Sequence, residues 1–394
     1  MAAAQKIIIA GAGIGGLTAA LALVRAGFGV AVLETAPQLE EIGAGVQLSP
    51  NASGVLLSLG LGPALRPHTV GLESLHVMNA RKGGEIVEIP LGVPAAVRYG
   101  APFWTIHRAD LQGVLAEAAK SQGVDLHLGV RAEDFALKDS RIVVLGRGSI
   151  ARVQMEGAAL IGADGLWSHI RQRLGIRIAP QFRRQTAWRA LIPIDAVPAR
   201  LREHVVTLWL GPRAHVVHYP VKGGAALNVV AIIREDWDKE EWSTPGDPEI
   251  LRKAMASFAP MLRDLINIPA AWTKWALHDH PPLPQWGTGP VTLLGDAAHA
   301  MRPFLAQGAG MAIEDAAVLT RSLKAGADDI PPALRAYEGA RRPRTARVQA
   351  EAVRTGRRYG WRGPLATARN LALRRMGGEK LLSRYDWIYE WKDP

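Results

Sequence analysis

The chain has 394 residues, of which 48% are hydrophobic and 21% charged, and its formal net charge is +11. This composition is typical of a folded globular protein with about two domains. The chain contains no cysteine, which excludes disulfides, thiolate catalysis, iron–sulfur clusters and cysteine zinc sites, and favours a cytoplasmic location.

The first segment predicts a βαβ unit, made of strand KIIIA, turn GAGIGG, helix LTAALALVRAG and strand VAVLE. Uniformly apolar strands of this kind belong to a parallel sheet that is covered on both faces. Residues 7–24 are uncharged and just long enough for a membrane span or a signal-peptide core. The clustered glycines favour a strand, a turn and a helix instead, so we predict no membrane span.

The turn of this unit carries the motif G-x-G-x-x-G, formed by Gly11, Gly13 and Gly16, and Glu34 ends the following strand. In such a motif the first glycine makes the tight turn, the second lets a pyrophosphate approach, and the third lets the helix pack on the strand. A carboxylate at the position of Glu34 accepts hydrogen bonds from ribose hydroxyls. The combination predicts a dinucleotide site, with a glycine-rich turn without ligand as the alternative.

The next segments alternate between predicted helices and predicted strands. A glycine-rich loop, 43–51, leads into a helix near Pro50, and the strands LHVMNA and EIVEIP follow. A helix in HRADLQGVLAEAAKSQG then precedes the strands VDLHLGV and AALIG, which resume the parallel style. From residue 186 to about 277, the strands TAWRALIPI, VVTLWLG, AHVVHYPV and ALNVVAIIR have no long helix between them. This stretch predicts an antiparallel sheet.

The stretch GDAAHAMRPFLAQGAGMAIEDA, residues 295–316, follows the apolar run VTLL. Asp296 at the strand end can accept hydrogen bonds from sugar-like hydroxyls. A helix that starts at Gly308 to Gly310 presents free N–H groups and the positive end of its dipole, which suits an anion or a polar carbonyl edge. We therefore expect a second part of the same ligand here.

The C-terminal part is basic, with 15 Lys and Arg against 6 Asp and Glu in residues 331–394. These arginines are dispersed among Ala, Leu, Gly and Trp, a pattern that predicts a solvated helical face. Binding of nucleic acid or of an anionic membrane is the alternative that this charge leaves open.

Three segments in order, GAGIGG with Glu34, IGADG, and residues 295–316, resemble the single-component FAD-dependent aromatic hydroxylases of the flavoprotein monooxygenase family, such as the salicylate, 3-hydroxybenzoate and 6-hydroxynicotinate hydroxylases. The resemblance covers nearly the whole chain. It implies an α/β fold in which a Rossmann-type FAD-binding domain with a mixed or parallel sheet is interrupted by an antiparallel β-rich substrate domain, followed by C-terminal helices. The expected boundaries are 1–72, 98–180 and 282–356 for the FAD domain, 73–97 and 181–281 for the substrate domain, and 357–394 for the C-terminal helices.

The resemblance implies non-covalent FAD, with the adenosine ribose at Glu34, the pyrophosphate at Gly13 to Gly15, the ribityl chain near Asp296 and the pyrimidine edge at Gly308 to Met311. Arg108 resembles a family arginine that contacts FAD, although a salt bridge at a helix start is the alternative. The residues expected at the cofactor are Gly11, Gly13, Ile14, Gly15, Glu34, Thr35, Val46, Arg108, Val130, Asp164, Asp296, Gly308, Ala309, Gly310 and Met311.

The strand AHVVHYPV contains the candidate substrate residues. Its period-two alternation places His215, Val217 and Tyr219 on one face and His218 on the other. Because an imidazole titrates near neutral pH, His215 is a candidate base and Tyr219 a proton carrier, whereas polar residues on a solvated sheet face are the alternative. The pattern H-x-x-x-Y-P resembles the substrate strand of hydroxybenzoate and hydroxynicotinate hydroxylases, which favours the first interpretation.

The resemblance adds Gln47, which occupies a position that touches substrate from the flavin side, and Pro303, which we group with His215 and Tyr219 as catalytic. Pro303 opens the segment that resembles P-x-x-G-Q-G, in which Ala306 stands where glycine is commoner. An anionic substrate needs a counter-charge, for which Arg189 and Arg302 are candidates. Both arginines also suit a purely structural role.

The implied function is that of an FAD-dependent monooxygenase. NAD(P)H reduces the flavin, O₂ adds to it, and a flavin C4a-hydroperoxide hydroxylates a small anionic hydroxylated aromatic or heteroaromatic acid. No second G-x-G-x-x-G is present, so the nicotinamide is expected to visit the surface near Asp164. The expected partners are the aromatic acid and O₂, without nucleic acid, and a homodimer is compatible with the sequence.

Two alternatives stay open at this point. The first is an enzyme of the same fold with another substrate, such as an epoxidase, a urate-type hydroxylase or an isoprenoid reductase, for which an apolar pocket is expected. The second is a non-catalytic flavin-binding protein that uses the basic C-terminal part at a membrane surface.

Overall fold

The computed structural model describes residues 5–39, 44–139, 141–148, 151–240 and 243–393, so Gly43 of the predicted glycine-rich loop lies outside it. Its strands are β1 Lys6–Ala10, β2 Gly29–Glu34, β3 Gly45–Leu48, β4 Val70–Gly71, β5 Ser74–Asn79, β6 Glu85–Pro90, β7 Trp104–His107, β8 Asp125–Leu128, β9 Val130–Lys138, β10 Arg141–Gly148, β11 Arg152–Gly157, β12 Ala159–Gly162, β13 Gln181–Pro193, β14 Val205–Gly211, β15 Ala214–Val221, β16 Ala226–Arg234, β17 Thr244–Gly246, β18 Trp272–Asp279 and β19 Val291–Leu293.

The helices are α1 Ile14–Arg25, α2 Pro50–Ser58, α3 Gly62–Leu65, α4 Val93–Tyr99, α5 Arg108–Ser121, α6 His169–Arg173, α7 Pro248–Ala254, α8 Pro260–Asn267, α9 Asp296–His299, α10 Gly308–Ala325, α11 Ile330–Tyr359, α12 Gly363–Met376, α13 Gly378–Ser383 and α14 Asp386–Tyr389. None of these helices in the described ranges is both long and apolar enough to cross a bilayer.

The first sheet is parallel, with the order β19-β12-β1-β2-β8. Its central strand β1 is completely buried at Ile7, Ile8 and Ile9, because helices such as α1 and the antiparallel strands β9 to β11 both pack on this sheet. The predicted βαβ unit is confirmed as β1, α1 and β2. The carboxyl ends of β1, β12 and β19 lead directly into the segments at Gly11, Ala163 and Leu294, which brings the three predicted motifs together.

The second sheet has eight strands in the order β17-β18-β13-β16-β15-β14-β5-β6. The predicted antiparallel pairing is confirmed for β13, β14, β15 and β16. The pair β14–β5 is parallel, because β5 enters the sheet from a separate part of the chain. The face of this sheet that carries His215 points towards the parallel-sheet unit, and the opposite face is covered by α7 and α8 through an apolar cluster.

Two small sheets were not predicted. Strands β9, β10 and β11 form an antiparallel sheet, and β3, β7 and β4 form another. The predicted strand VDLHLGV is split, because Gly129 takes a positive φ of 70° that ends β8 before β9 begins at Val130. The charged residues of β9 conceal its alternating pattern, since polar side chains occupy most of its outward positions.

The C-terminal basic segment differs from the predicted solvated face. Arg341 of α11 is 1% exposed and its guanidinium bonds Glu314 and Asp315 of α10, each at 2.6 Å. Arg344 also donates to Glu314 at 2.6 Å. These arginines therefore neutralise buried carboxylates, because a buried charge needs a partner of opposite sign. Only part of the positive charge of this segment lies on the surface.

The pKa values of this cluster follow from its charges. Burial opposes ionisation of Asp315, but His299 and Arg341 outweigh it and lower the pKa of Asp315 to about 2. Burial likewise opposes the charge on Arg341, while Asp315 and Glu314 raise its pKa. Because the pKa of Asp315 is lower in the folded state, this carboxylate stabilises the fold above about pH 4 and loses that contribution as the pH falls towards 2.

We expect Arg341→Met to lower the free energy of unfolding by about 3 to 5 kcal/mol, because it leaves Glu314 and Asp315 without their shared cation. Arg354→Met is the matched control. Its ion pair with Glu351 is exposed and spans 3.3 Å, so the loss should stay within about 1 kcal/mol. Urea unfolding measures both variants, and equal losses would contradict the structural role of the cluster.

Candidate cofactor and substrate site

A cavity of about 720 Å³ lies between the parallel sheet, the eight-stranded sheet and the C-terminal helices. It begins at the start of α1, passes β3 and the start of α10, and ends between β15 and helices α11, α12 and α13. Its size and mainly apolar lining are those of a cofactor or ligand site. Predicted site residues on its wall are Gly13, Ile14, Gly15, Val46, Gln47, Arg108, His215, Tyr219, Asp296, Pro303, Gly308 and Ala309.

Each glycine at the start of α1 is required for a different geometric reason. A Cβ added to Gly11, whose φ is 106°, would lie 2.4 Å from the carbonyl oxygen of Ala163. A Cβ on Gly16 would lie 2.0 Å from the carbonyl oxygen of Gly11. No atom lies within 4 Å of a Cβ added to Gly13. Gly11 and Gly16 therefore close the turn, whereas Gly13 leaves open space at a helix start, as a pyrophosphate cradle requires.

Glu34 is directed back to the glycine turn. Its carboxylate accepts hydrogen bonds from the backbone N–H of Ala12 at 2.6 Å and of Ala36 at 2.8 Å. Each carboxylate oxygen has a second acceptor site, so these bonds hold the carboxylate beside the turn without using its whole capacity. Thr35 is exposed and Val130 is buried, and neither lines the cavity.

The start of α10 presents N–H groups to the cavity at Gly308 and Ala309, which the helix itself leaves without partners. The expectation for the next two positions differs from the structure, since Gly310 and Met311 are buried outside the cavity wall. The N–H of Met311 already donates to the carbonyl of Gln307 at 2.8 Å. The donors available to a ligand therefore lie at Gly308 and Ala309.

Gln307, the residue before α10, ties this helix start to the segment around α2. Its amide nitrogen donates to the hydroxyl of Ser49 at 2.8 Å, and its amide oxygen accepts from Asn51 at 3.1 Å. Asn51 also donates to Glu314 at 2.6 Å. Ala306 precedes this residue with a positive φ of 53°, which explains why glycine suits that position.

Asp164 does not line the cavity, although its neighbour Ala163 does, and its role at the cofactor stays a prediction. Its carboxylate accepts from the hydroxyl of Ser168 at 2.5 Å and from the N–H of Ile170 at 3.0 Å, and so caps the short helix α6. Burial raises the pKa of Asp164. Asp296, by contrast, lines the cavity at the end of β19, where the ribityl chain was expected.

His215 faces the cavity between two aromatic rings. Its ring centroid is 5.4 Å from that of Phe304 and 5.4 Å from that of Tyr359. Among the described residues, no group hydrogen-bonds its ring nitrogens. Burial lowers the pKa of His215 to about 4, so the expectation of a titration near neutral pH is wrong for this protein and the imidazole is neutral at pH 7.

Tyr219 fixes the loop on the opposite wall. Its hydroxyl donates to the carbonyl of Gly45 at 2.7 Å and lies within hydrogen-bonding reach of the Gln47 side chain. Asn228, its cross-strand neighbour, accepts from the N–H of Gly45 at 2.8 Å. A Cβ on Gly45 would lie 2.4 Å from the Tyr219 ring. The hydroxyl proton of Tyr219 thus points to the loop rather than to the open cavity.

The predicted counter-charges are not on the cavity wall. Arg302 bonds Asp279 at 2.6 Å, and Arg183 bonds the same carboxylate. Arg189 lies over the ring of Trp275, 4.6 Å from its centroid, and burial lowers its pKa to about 10. Arg302 is held by Asp279 and does not line the cavity, so the structure does not bring it to the expected position beside a substrate.

Sequence reasoning missed the wall formed by the last helices. Phe304 and Tyr359 flank His215, and the far end of the cavity is lined by apolar residues of β5, β6, β14, α12 and α13, including Leu75, Val77, Ile89, Leu208, Leu210, Leu373, Met376 and Leu381. Alternating apolar residues in LHVMNA and EIVEIP were the available signal for the strands. Nothing in the helical segments indicated which face meets this cavity.

A family profile described as FAD binding domain matches residues 4–352. The chain belongs to this FAD-binding family. It is 39% identical over 388 residues to 3-hydroxybenzoate 6-hydroxylase 1 of Aquipseudomonas alcaligenes, covering 98% of this chain and 97% of that protein. It is 37% identical over 387 residues to 3-hydroxybenzoate 6-hydroxylase of Polaromonas naphthalenivorans (strain CJ2), covering 98% and 96%.

Solved structures agree with this assignment. Klebsiella pneumoniae HpxO complexed with FAD and uric acid matches with a TM-score of 0.86 at 25% identity, covering 98% of this chain and 96% of that chain. A salicylate hydroxylase substrate complex matches with a TM-score of 0.83 at 25% identity, covering 100% and 97%. The predicted family, the α/β fold class and FAD as the cofactor are confirmed.

The residues of the cavity fit FAD. The open space over Gly13 would accept the pyrophosphate, the carboxylate of Asp296 would accept from ribityl hydroxyls, and the N–H groups of Gly308 and Ala309 would donate to a carbonyl edge. The two helix starts have the same sign of dipole and together favour a ligand with negative charge at both places.

We expect Gly13→Ala to fold like the native chain and to bind FAD more weakly, because the added methyl group fills the cradle while touching no protein atom. Gly11→Ala is the matched comparison, in which the clash with Ala163 and the positive φ should lower the melting temperature. Melting of the apoprotein and FAD titration separate the two effects. Full FAD affinity in Gly13→Ala would place the pyrophosphate elsewhere.

Proposed function

We propose that the chain is an FAD-dependent monooxygenase that uses NAD(P)H and O₂ to hydroxylate a small hydroxybenzoate-type aromatic acid. The observation that carries this proposal is His215, a neutral imidazole that lines the same cavity as Gln47 and Pro303. The named activity of two relatives at 37% and 39% identity over nearly the full length supports the substrate class.

Bound FAD supplies the transfer of electrons from NAD(P)H and the activation of O₂. The chain's own residues hold and prepare the ring. A neutral imidazole accepts a hydrogen bond from the substrate hydroxyl, which raises the electron density of the ring at the carbon to be hydroxylated. Full proton transfer is disfavoured, because burial makes His215 a weaker base than a free imidazole.

Tyr219, Gln47 and Pro303 shape the rest of this wall. Tyr219 holds the carbonyl of Gly45 and thereby positions the loop that carries Gln47, whose amide then meets the ring from the flavin side. Pro303 begins the 3-10 turn Pro303–Leu305, which places Phe304 against His215. We assign Tyr219 to positioning and His215 to the contact with the substrate hydroxyl.

A panel of aromatic compounds tests this function. 3-Hydroxybenzoate, salicylate, 6-hydroxynicotinate and urate are each added to the FAD-loaded protein with NADH or NADPH, and oxidation of the nicotinamide is measured together with product. We expect a hydroxybenzoate to stimulate oxidation and to yield a hydroxylated product. Stimulation by urate alone would favour the urate-type alternative that HpxO exemplifies.

We expect His215→Ala to keep its FAD spectrum and its NAD(P)H oxidation but to release more hydrogen peroxide and less product, with oxygen transfer slowed about a hundredfold. His218→Ala is the control, since His218 is buried on the opposite face of β15 beside Trp209. It should keep the native ratio of product to NAD(P)H. Uncoupling in His218→Ala but not in His215→Ala would overturn the assignment.

The pH dependence follows from the same residue. His215 accepts a hydrogen bond only when neutral, and burial lowers its pKa to about 4. The acidic limb of kcat is therefore expected near pH 4 instead of near pH 6.5, the ordinary value for histidine. Comparison with His215→Ala isolates this limb, because ionisation of the substrate contributes equally to both proteins.

We also infer a cytoplasmic location and a division into an FAD domain of residues 1–72, 98–180 and 282–356, a substrate domain of residues 73–97 and 181–281, and a C-terminal helical segment of residues 357–394. We propose a homodimer, and size-exclusion chromatography with light scattering would measure its mass.

A further inference from the structure

The charged groups on the cavity wall are strongly unbalanced. Among the described residues that line it, four are arginines, namely Arg108, Arg358, Arg369 and Arg384, and one is a carboxylate, Asp296. Arg108 begins α5. The other three arginines all belong to α11, α12 and the turn after α13. Arg358 forms an ion pair with Glu351 at 3.2 Å, so Arg369 and Arg384 are the cations of these helices whose charge on the wall needs a further explanation.

Arg369 is the buried member of this set, with 8% of its surface exposed. Its Nη1 donates to the carbonyls of Arg358 at 2.9 Å and Tyr359 at 3.0 Å, and its Nε and Nη2 donate to the side-chain oxygen of Asn370 at 3.0 and 2.9 Å. One of the five N–H groups of the guanidinium therefore remains for a ligand. All of these partners are neutral. No carboxylate of the described residues forms an ion pair with Arg369, although burial of a cation normally requires one.

Arg384 lies further out and is exposed, with one side-chain contact among the described residues, to the sulfur of Met376 at 3.9 Å. Arg384, Arg369 and Tyr359 line the same cavity. Arg369 holds the carbonyl of Tyr359, whose ring lies against His215. The cavity wall thus has one exposed and one buried cation without acidic partners among the described residues, and the buried one adjoins the neighbour of His215.

The neighbours of these cations select among anions. Tyr359, Tyr385 and Tyr389 line the same part of the cavity with Leu373 and Met376. This surface suits a flat apolar ring beside a charge, whereas a small inorganic anion would leave the apolar atoms without contacts. The guanidinium of Arg384 can match a planar carboxylate with two parallel hydrogen bonds, and Arg369 can add its buried charge and its one remaining N–H.

We propose that Arg369 and Arg384 form a binding site for the carboxylate of an aromatic acid as it enters the cavity. This inference rests on the proposed function, because it concerns the same class of substrate. The site gives aromatic acids an advantage over neutral phenols in binding. It assigns a specificity role to the basic C-terminal segment in place of Arg302, which Asp279 holds and which does not line the cavity.

The test measures binding without turnover. The FAD-loaded protein is titrated by calorimetry with benzoate and with benzamide, its neutral counterpart of similar shape. We expect Arg369→Gln to weaken benzoate binding about tenfold, as expected for a lost charge-assisted hydrogen bond. Arg384→Gln should weaken it about two- to fivefold, and this difference should shrink as salt increases because the residue is exposed. Benzamide binding should not change.

Two further variants separate binding from structure. Arg375→Gln removes the same charge from an exposed position of α12 that does not line the cavity, and should bind benzoate like the native protein. Arg369→Lys keeps the charge and should recover part of the affinity. If Arg369→Gln also loses stability, Arg384→Gln still tests the site, because its exposed side chain contributes little to the fold.

Native benzoate affinity in both Arg369→Gln and Arg384→Gln would overturn the proposal. Equal losses for benzoate and benzamide, an equal loss in Arg375→Gln, or competition by inorganic phosphate as effective as that by benzoate would overturn it as well. The panel of aromatic compounds tests hydroxylation independently of this binding experiment. Arginine-dependent benzoate binding without any hydroxylation would contradict the proposed function and leave this site standing.

Discussion

The site depends on one close approach between two helices. A Cβ on Gly15 would lie 2.7 Å from Leu294 and 2.9 Å from Ala312, so only a glycine lets α1 and α10 come this near to each other. Both helices then begin at the same cavity, and the N–H groups of their first turns lie on its wall. The buried Arg341 secures the arrangement from behind, because it neutralises Glu314 and Asp315 inside α10 while Asp315 also binds the N–H of Gly295.

The part of the cavity beside β15 is mainly apolar, and most of its few polar side chains have fixed hydrogen-bond partners. Tyr219 donates to the carbonyl of Gly45 and Asn228 accepts from its N–H. These two bonds fix the segment that carries Gln47 to the eight-stranded sheet. His215 is left with aromatic neighbours and no hydrogen-bond partner among the described residues. Burial keeps its imidazole neutral, and an acceptor in an apolar wall gains from a hydrogen-bond donor on a ligand, because a buried polar group without a partner is costly.

The C-terminal helices join these two halves. Helix α11 reaches from the cluster around Arg341 to Tyr359 beside His215, so one element contacts both the support of the flavin-side helix and the substrate wall. Its last carbonyls are capped by Arg369, whose charge has neutral partners only. The apolar lining from α12 and α13 resembles what the same-fold alternatives require, but His215 on the same wall distinguishes this cavity from a purely apolar one.

The sequence by itself determined the βαβ unit, the glycine turn and the segment at residues 295–316, because these depend on backbone geometry that only glycine and short-range spacing permit. It also determined the face of His215, since alternation along a strand is local. The tertiary structure decided what sits beside each charged group. Arg302 meets Asp279, Arg341 enters the core and Arg369 meets no carboxylate of the described residues, and the pKa of His215 falls to about 4. Burial and long-range ion pairing set these outcomes, and neither is encoded in the spacing of nearby residues.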